Sequence, residues 1–143
     1  MRREIFGSSE ASFIAATSTT LRSSQTSTLT FTLSEASTNF VEGDITLSGG
    51  TLSLFTAVSG TSYSVVFTPT ADRSSGTGYA LVLSGFLTDA AGNNNSASTN
   101  TNFTYDTRVP TVSIAASAST LKSGETSTLT FKNRVLFAIS FRL

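Results

Sequence analysis

The sequence predicts an all-β fold: an antiparallel sandwich of about seven short strands with Greek-key connections. Three observations carry that expectation. Apolar residues recur with a period of two rather than 3.6. Clusters of Gly, Ser, Asn and Pro separate segments of strand length. No stretch has the pattern of a long amphipathic helix. Ser and Thr fill 50 of 143 positions, which pulls toward disorder, but 38% of residues are hydrophobic and Phe occurs eleven times, too apolar for a disordered chain. The length suits one ordinary domain and not two full ones.

In chain order the first expected strand runs from Phe13 to Ser18. In the next, Leu29, Phe31 and Leu33 alternate with Thr28, Thr30 and Thr32, a half-buried strand with β-branched residues on its wet face. Segments 44–48 and 51–58 follow, joined at Gly49-Gly50, a pair suited to a tight hairpin. Tyr63, Val65 and Phe67 then alternate with Ser62, Ser64 and the less polar Val66. After the breakers Ser74-Ser75-Gly76, the residues Tyr79, Leu81 and Leu83 supply the next alternating core set. Phe103 and Tyr105 close the series. Residues 35–42 have room for one helical turn, and the loop aromatics Phe40 and Phe86 are expected to plug the sandwich ends.

An internal repeat sets the organisation. Residues 14–31 read IAATSTTLRSSQTSTLTF and residues 114–131 read IAASASTLKSGETSTLTF, identical at 12 of 18 positions. Ser/Thr-rich text explains the hydroxyl matches but not the registered Ile, Leu, Leu and Phe. The similarity stops at both ends, because Thr32-Leu33-Ser34-Glu35 faces Lys132-Asn133-Arg134-Val135, and Asp106-Thr107-Arg108-Val109-Pro110 faces Phe6-Gly7-Ser8-Ser9-Glu10. The expected division is a non-repeat leader at 1–12, a complete repeat at 13–106, a linker and shortened second repeat at 107–131, and an apolar tail at 132–143. A truncated or frame-shifted reading frame has this form.

Four segments and a joint resemble the bacterial Ig-like repeats of very large secreted or surface-displayed adhesins. They are residues 26–36 (TSTLTFTLSEA), 43–52 (GDITLSGGTL), 63–70 ending in Phe67-Thr68-Pro69-Thr70, the loop 86–93 (FLTDAAGN), and the joint 105–112 (YDTRVPTV). In this order they span most of 13–131. The resemblance implies an Ig-like sandwich serving as one link of a long extracellular stalk, with neighbouring Ig-like repeats as its partners. It also implies calcium at repeat junctions, held by Asp and Asn oxygens. The antibody-type Cys pair and core Trp are absent, so stability rests on Phe, Leu, Val and Tyr.

The residues that are missing exclude most chemistry. Without His or Cys, no Ser-His-Asp or Cys-His set, disulfide or Cys-ligated metal site can be built. The spacing of the nine acids suggests no glycosidase-type cleft, so the chain is read as non-catalytic. A Lys–Asn isopeptide bond fails too, since Lys122 and Lys132 both lie outside the complete repeat. Nine cations balance nine acids, which leaves no basic footprint for nucleic acid. The longest apolar run, Val135 to Ile139, is far shorter than a membrane helix, and the start has no secretion signal; an extracellular role would make this chain a piece of something longer. Two functions stay in play: a structural spacer in an adhesin, and a module binding carbohydrate or protein through the loops of one pole.

Asp89 and Asn93 can be read as turn formers around Gly92, or as hard oxygen ligands for calcium, which needs six to eight of them. Asp106 is either a helper of the linker before Pro110 or a shared junction ligand. The sequons at Asn94 and Asn102 arise easily in such a composition. If strands simply alternate in direction, Glu35, Glu42, Asp44 and Asp89 gather at the pole where the chain enters, and Asp106 leaves at the other. A residual site at Asp89, Asn93, Asp44 and Glu42, weaker than millimolar, is the expectation for this chain; no cofactor is required.

Overall fold

The computed structural model describes residues 12–133, so the leader up to residue 11, including Phe6 and Glu10, lies outside the described residues, as does the apolar tail beyond Asn133. The chain divides into two compact units, one reaching Arg108 and one beginning at Val109. The first unit is a sandwich of two four-stranded sheets.

Strand β1 (Ser12–Ala16) pairs antiparallel with β3 (Ser27–Leu33), and β3 pairs with β6 (Ser62–Pro69), which pairs with β5 (Gly50–Ser59). The opposing sheet runs β2 (Thr20–Arg22), β8 (Thr101–Asp106), β7 (Gly76–Val82), β4 (Ile45–Ser48). Every contact in it is antiparallel except β2 with β8, which is parallel. This is the constant-type immunoglobulin arrangement, with the first strand split between the sheets. The expected sandwich is therefore present, and the extra strand comes from that split: β1 serves one sheet, and after a bend β2 serves the other.

The bend is held by hydroxyls. The Ser27 side chain is buried and donates to the Ser18 carbonyl at 2.7 Å, while the Ser18 amide donates back to its Oγ at 3.2 Å. The Thr28 amide donates to Thr17 Oγ1 at 3.0 Å. Ser and Thr thus satisfy backbone groups at the point where the chain leaves one ladder for another.

Between the sheets lies the core that the two-residue period forecasts. Leu29 and Phe31 of β3, Val65 and Phe67 of β6, and Phe103 of β8 are buried, with Phe67 and Phe103 stacked at 4.3 Å between centroids. Phe40 closes one end, edge-on to Phe31, Phe55 and Tyr63 at 5.4, 5.4 and 4.8 Å. It is the plug expected of it. Phe86 is not; its ring is exposed, and the neighbouring Leu87 is buried instead.

Two further expectations are corrected. Gly49-Gly50 is not a hairpin, because β4 and β5 belong to different sheets. The pair carries the chain across the sandwich, with Gly49 at a φ of +83°. A Cβ on Gly49 would sit 2.6 Å from the Gly78 Cα, so the crossing depends on two bare backbones meeting. The second correction concerns β7, where Gly78, Ala80 and Val82 face inward while Tyr79 and Leu83 are exposed. Tyr-Ala-Leu-Val-Leu is apolar in both phases, and the close approach at Gly78 selects the phase with small residues inside.

The second unit contains β9 (Val112–Ala116) and β10 (Leu129–Asn133), paired antiparallel with each other. The sequence pattern of the second copy places strands at 111–116 and 126–131, and the second of these begins three residues later in the structure.

Gly78→Ala should lower the stability of the sandwich by about 2–3 kcal/mol, since its Cβ would stand 2.4 Å from the Ser48 carbonyl oxygen. Urea unfolding followed by tyrosine fluorescence would measure it; an unchanged midpoint would refute the crossing argument.

Candidate functional site

Strand directions fix two poles. The register Ser12↔Leu33, Thr32↔Ser62 and Ile45↔Val82 puts the loops at 34–44, 60–61 and 83–100 at the pole where β1 begins. Asp106 pairs with Arg22 at the far end of β8, on the opposite pole. Asp89 and Asp106 therefore stand at opposite ends of one sandwich.

At the leading pole the loop after β7 is the largest feature, and Asn95 organises it. Its side chain is buried, and its Oδ1 accepts from the amides of Phe86 and Leu87, both at 3.0 Å. Its Nδ2 donates to the carbonyls of Leu83 at 2.9 Å and Ser96 at 2.7 Å. All four hydrogen-bonding positions of the amide are used, so a buried polar group becomes a bracket for the loop. Sequence reasoning treated Asn95 only as the middle of a sequon. Its one detectable signal was an Asn cluster lying after an apolar loop segment.

Asp89 caps the adjacent turn. Its Oδ1 accepts from the Asn93 amide and its Oδ2 from the Asn93 side-chain nitrogen, each at 2.8 Å. The Gly92 amide donates to the Asp89 carbonyl at 3.1 Å, and Gly92 takes a φ of +86°. The Asn93 side chain, followed by its backbone amide, holds the Asp89 carboxyl below the usual carboxylate range. These are the contacts of the turn-forming reading.

The loop is tied to its neighbour by a bridge between Ser37 and Asp89, and by the Thr88 amide donating to Asn39 Oδ1 at 2.9 Å. Asp44 is used elsewhere: its Oδ2 accepts from the Val41 amide at 2.9 Å and closes the 3-10 turn Glu42–Asp44 that leads into β4. Glu42 is exposed. The structure thus joins Asp89 to Asn93 but does not gather Glu42, Asp44 and Asp89 into one ligand set; among the described residues no three Asp, Glu, His or Cys side chains do so.

At the exit pole Asp106 accepts from the Arg108 amide at 3.2 Å. Thr107 is buried, donating to the Thr70 carbonyl at 2.7 Å and accepting from the Arg73 amide at 3.1 Å. The Thr107 and Arg108 amides both donate to the Arg73 carbonyl, at 2.8 and 3.1 Å. Arg108 also meets Asp72 at 3.3 Å, an exposed pair worth little by itself. Beside this strap lies an open depression of about 330 Å³ whose lining includes Ser24, Gln25, Pro69 and Thr107 and no ionisable side chain. Both poles are built to fix loops and the departing chain, and Asp44, Asp89 and Asp106 each accept from a local backbone amide.

A family model described as a bacterial Ig-like domain matches residues 10–105. The chain belongs to the bacterial Ig-like domain family, and its sandwich is a structural Ig-like module. No curated protein matches it. No helix among the described residues is long and apolar enough to cross a membrane.

Asn95→Ala should destabilise the module by about 2–4 kcal/mol, because it removes the acceptor of the buried Leu87 amide and the part-buried Phe86 amide together with two donated bonds. Thermal melts would read the loss, and a change within error would show that the loop orders itself without the bracket. For Asp89 the lowered carboxyl pKa gives stability that is present above its ordinary value of 3.8 and is lost as pH falls through the lower folded value. Asp89→Asn should therefore lower the melting temperature at neutral pH and flatten its fall in acid; an unaltered acid limb would assign that fall to other carboxylates.

Proposed function

We propose that this module is a load-bearing spacer, one link of a repetitive bacterial adhesin displayed outside the cell. The observation that carries the reading is the path of the chain. It begins at one pole with β1 and leaves at the other after β8, as beads in a string require. Strand β2, the second half of the split first strand, lies beside β8 and parallel to it, paired at Thr20↔Thr104, Leu21↔Tyr105 and Arg22↔Asp106.

Tension applied through the two ends slides β2 against β8. Their hydrogen bonds, together with Thr104 N–H to the Thr19 carbonyl at 2.9 Å, are then loaded in shear and share the load. The strap at Thr107 and Arg108 supports the same reading, because it fastens the departing chain before the linker. Neighbouring repeats are the partners in this proposal. Asp106 of one link and the Asp89 loop of the next would meet only across a junction, which is where calcium would bind, rather than on a single module. The alternative binding-module reading retains one exposed loop aromatic, Phe86.

Single-molecule stretching of the full chain between marker domains tests the spacer reading. Unfolding of the sandwich should occur in one step, lengthen the tether by roughly 30 nm, and need more force than peeling a hairpin. Thr104→Pro removes the donor to the Thr19 carbonyl at the start of this pairing and should lower that force more than the thermal stability lost elsewhere predicts. Gradual lengthening at low force would overturn the proposal.

A further inference from the structure

The repeat opens twice in this chain, and both openings fold locally in the same way. The Ser117 amide donates to the Thr128 carbonyl at 2.9 Å, as the Thr17 amide does to Thr28 at 3.0 Å. Ser127 Oγ donates to the Ala118 carbonyl at 2.8 Å, the counterpart of Ser27 to Ser18. Glu125 Oε2 accepts from the Lys122 amide at 2.9 Å, as Gln25 Oε1 does from Arg22 at 2.8 Å. Both turns place a residue in the left-handed region, Ser24 at φ +64° and Gly124 at φ +86°. The register is also shared, with Ile114↔Phe131 repeating Ile14↔Phe31.

What differs is the cover. Ile14, Leu21 and Leu29 are 5%, 2% and 0% exposed, whereas Ile114, Leu121 and Leu129 are 61%, 49% and 41% exposed. In the first copy β6 pairs with β3, and β8 pairs with β2. In the second, β9 and β10 form a two-stranded sheet among the described residues, and 120–122 is not a strand. The first copy therefore specifies what fits on the second.

We infer that the apolar face of β9 and β10, with the edge of β10 that has no strand beside it among the described residues, is a docking surface for the β4–β8 portion of a repeat of this kind. The occupant is a polypeptide equivalent to residues 34–106. Its β6 lies along β10 with Val65 opposite Leu129 and Tyr63 opposite Phe131, the register that β3 already shows. Its β8 then converts residues 120–122 into a strand, and the completed half is a second sandwich. Repetition within the chain carries this inference, which does not depend on the spacer reading.

The test mixes the full chain with a separately produced fragment of residues 34–106. A one-to-one complex should form, with a gain in β-sheet circular dichroism over the sum of the parts. Leu129→Asp should abolish the complex and leave the melting of the first sandwich in place, while Thr130→Ser, on the outer face, should preserve it. A complex equally tight with Leu129→Asp would mean exchange into the first sandwich and would overturn the proposal. So would self-association of the chain through this face that the fragment cannot displace, or absence of a complex. If the free fragment aggregates, residues 32–106 are fused directly after Phe131. A second cooperative unfolding transition then supports the inference, and its absence refutes it.

Discussion

Cover for one apolar stripe is the constraint on which the structure depends. Ile14, Leu21, Leu29 and Phe31 come from the first twenty residues of the sandwich, yet none can be buried by its own strand partners alone. A β-ladder satisfies backbone groups within its plane, but its side chains need a second layer about 10 Å away. Val82 and Phe103, on later strands of the opposing sheet, supply that layer to Ile14, Leu29 and Phe31, and Leu21 on β2 belongs to it as well. Each buried Leu or Phe contributes about 1.5–3 kcal/mol, so the stripe outweighs the local hydroxyl bonds that shape it. The second copy separates the two effects. It has the bend, the turn and the ladder, and its Leu and Ile side chains remain in solvent.

This requirement explains why the chain keeps changing sheets. A strand that stayed in one ladder would cover nothing opposite it. The bend after β1 and the crossing at Gly49-Gly50 each hand the chain to the other layer, and each uses the smallest available means. At the bend, Ser27 and Ser18 close the backbone bonds that the departing strand leaves open. At the crossing, Gly49 and Gly78 remove the side chains that would hold the two segments apart. The long loop after β7 needs a different device, because it turns back over the end of the core. Asn95 provides it with four bonds from one amide.

The fold class was legible because period-two patterning is a local property, and β3 and β6 display it cleanly. What escaped was non-local. Gly-Gly between two strands is compatible with a hairpin or a crossing, and only the strand partners distinguish them. Tyr79, Leu81 and Leu83 were as plausible an inward set as Ala80 and Val82, since the phase of β7 is set by its contact at Gly78. The three residues of β2 are too few to carry a pattern, and they become a strand only because β8 lies beside them. At the poles, the turn at Asp89 was one of two readings, and its bonds to Asn93 are those of the turn. The role of Asn95 depends on burial, which composition does not reveal.

Wet faces rich in Thr and Ser suit this architecture for a reason beyond solubility. Thr favours the extended backbone through its branched side chain, while its hydroxyl keeps the outer face polar without charge. With few charges, adjoining links of a string would neither repel nor attract strongly at a distance, and their spacing would fall to the linker and the poles. The poles are accordingly where this chain places its specific polar contacts: Asn39, Asp44, Asp89 and Asn95 at one, Arg73, Asp106, Thr107 and Arg108 at the other. In the spacer role proposed above, a sandwich with a waist poor in charge and defined ends would resist along the line joining its poles, where β2 and β8 run parallel and their bonds would share the load.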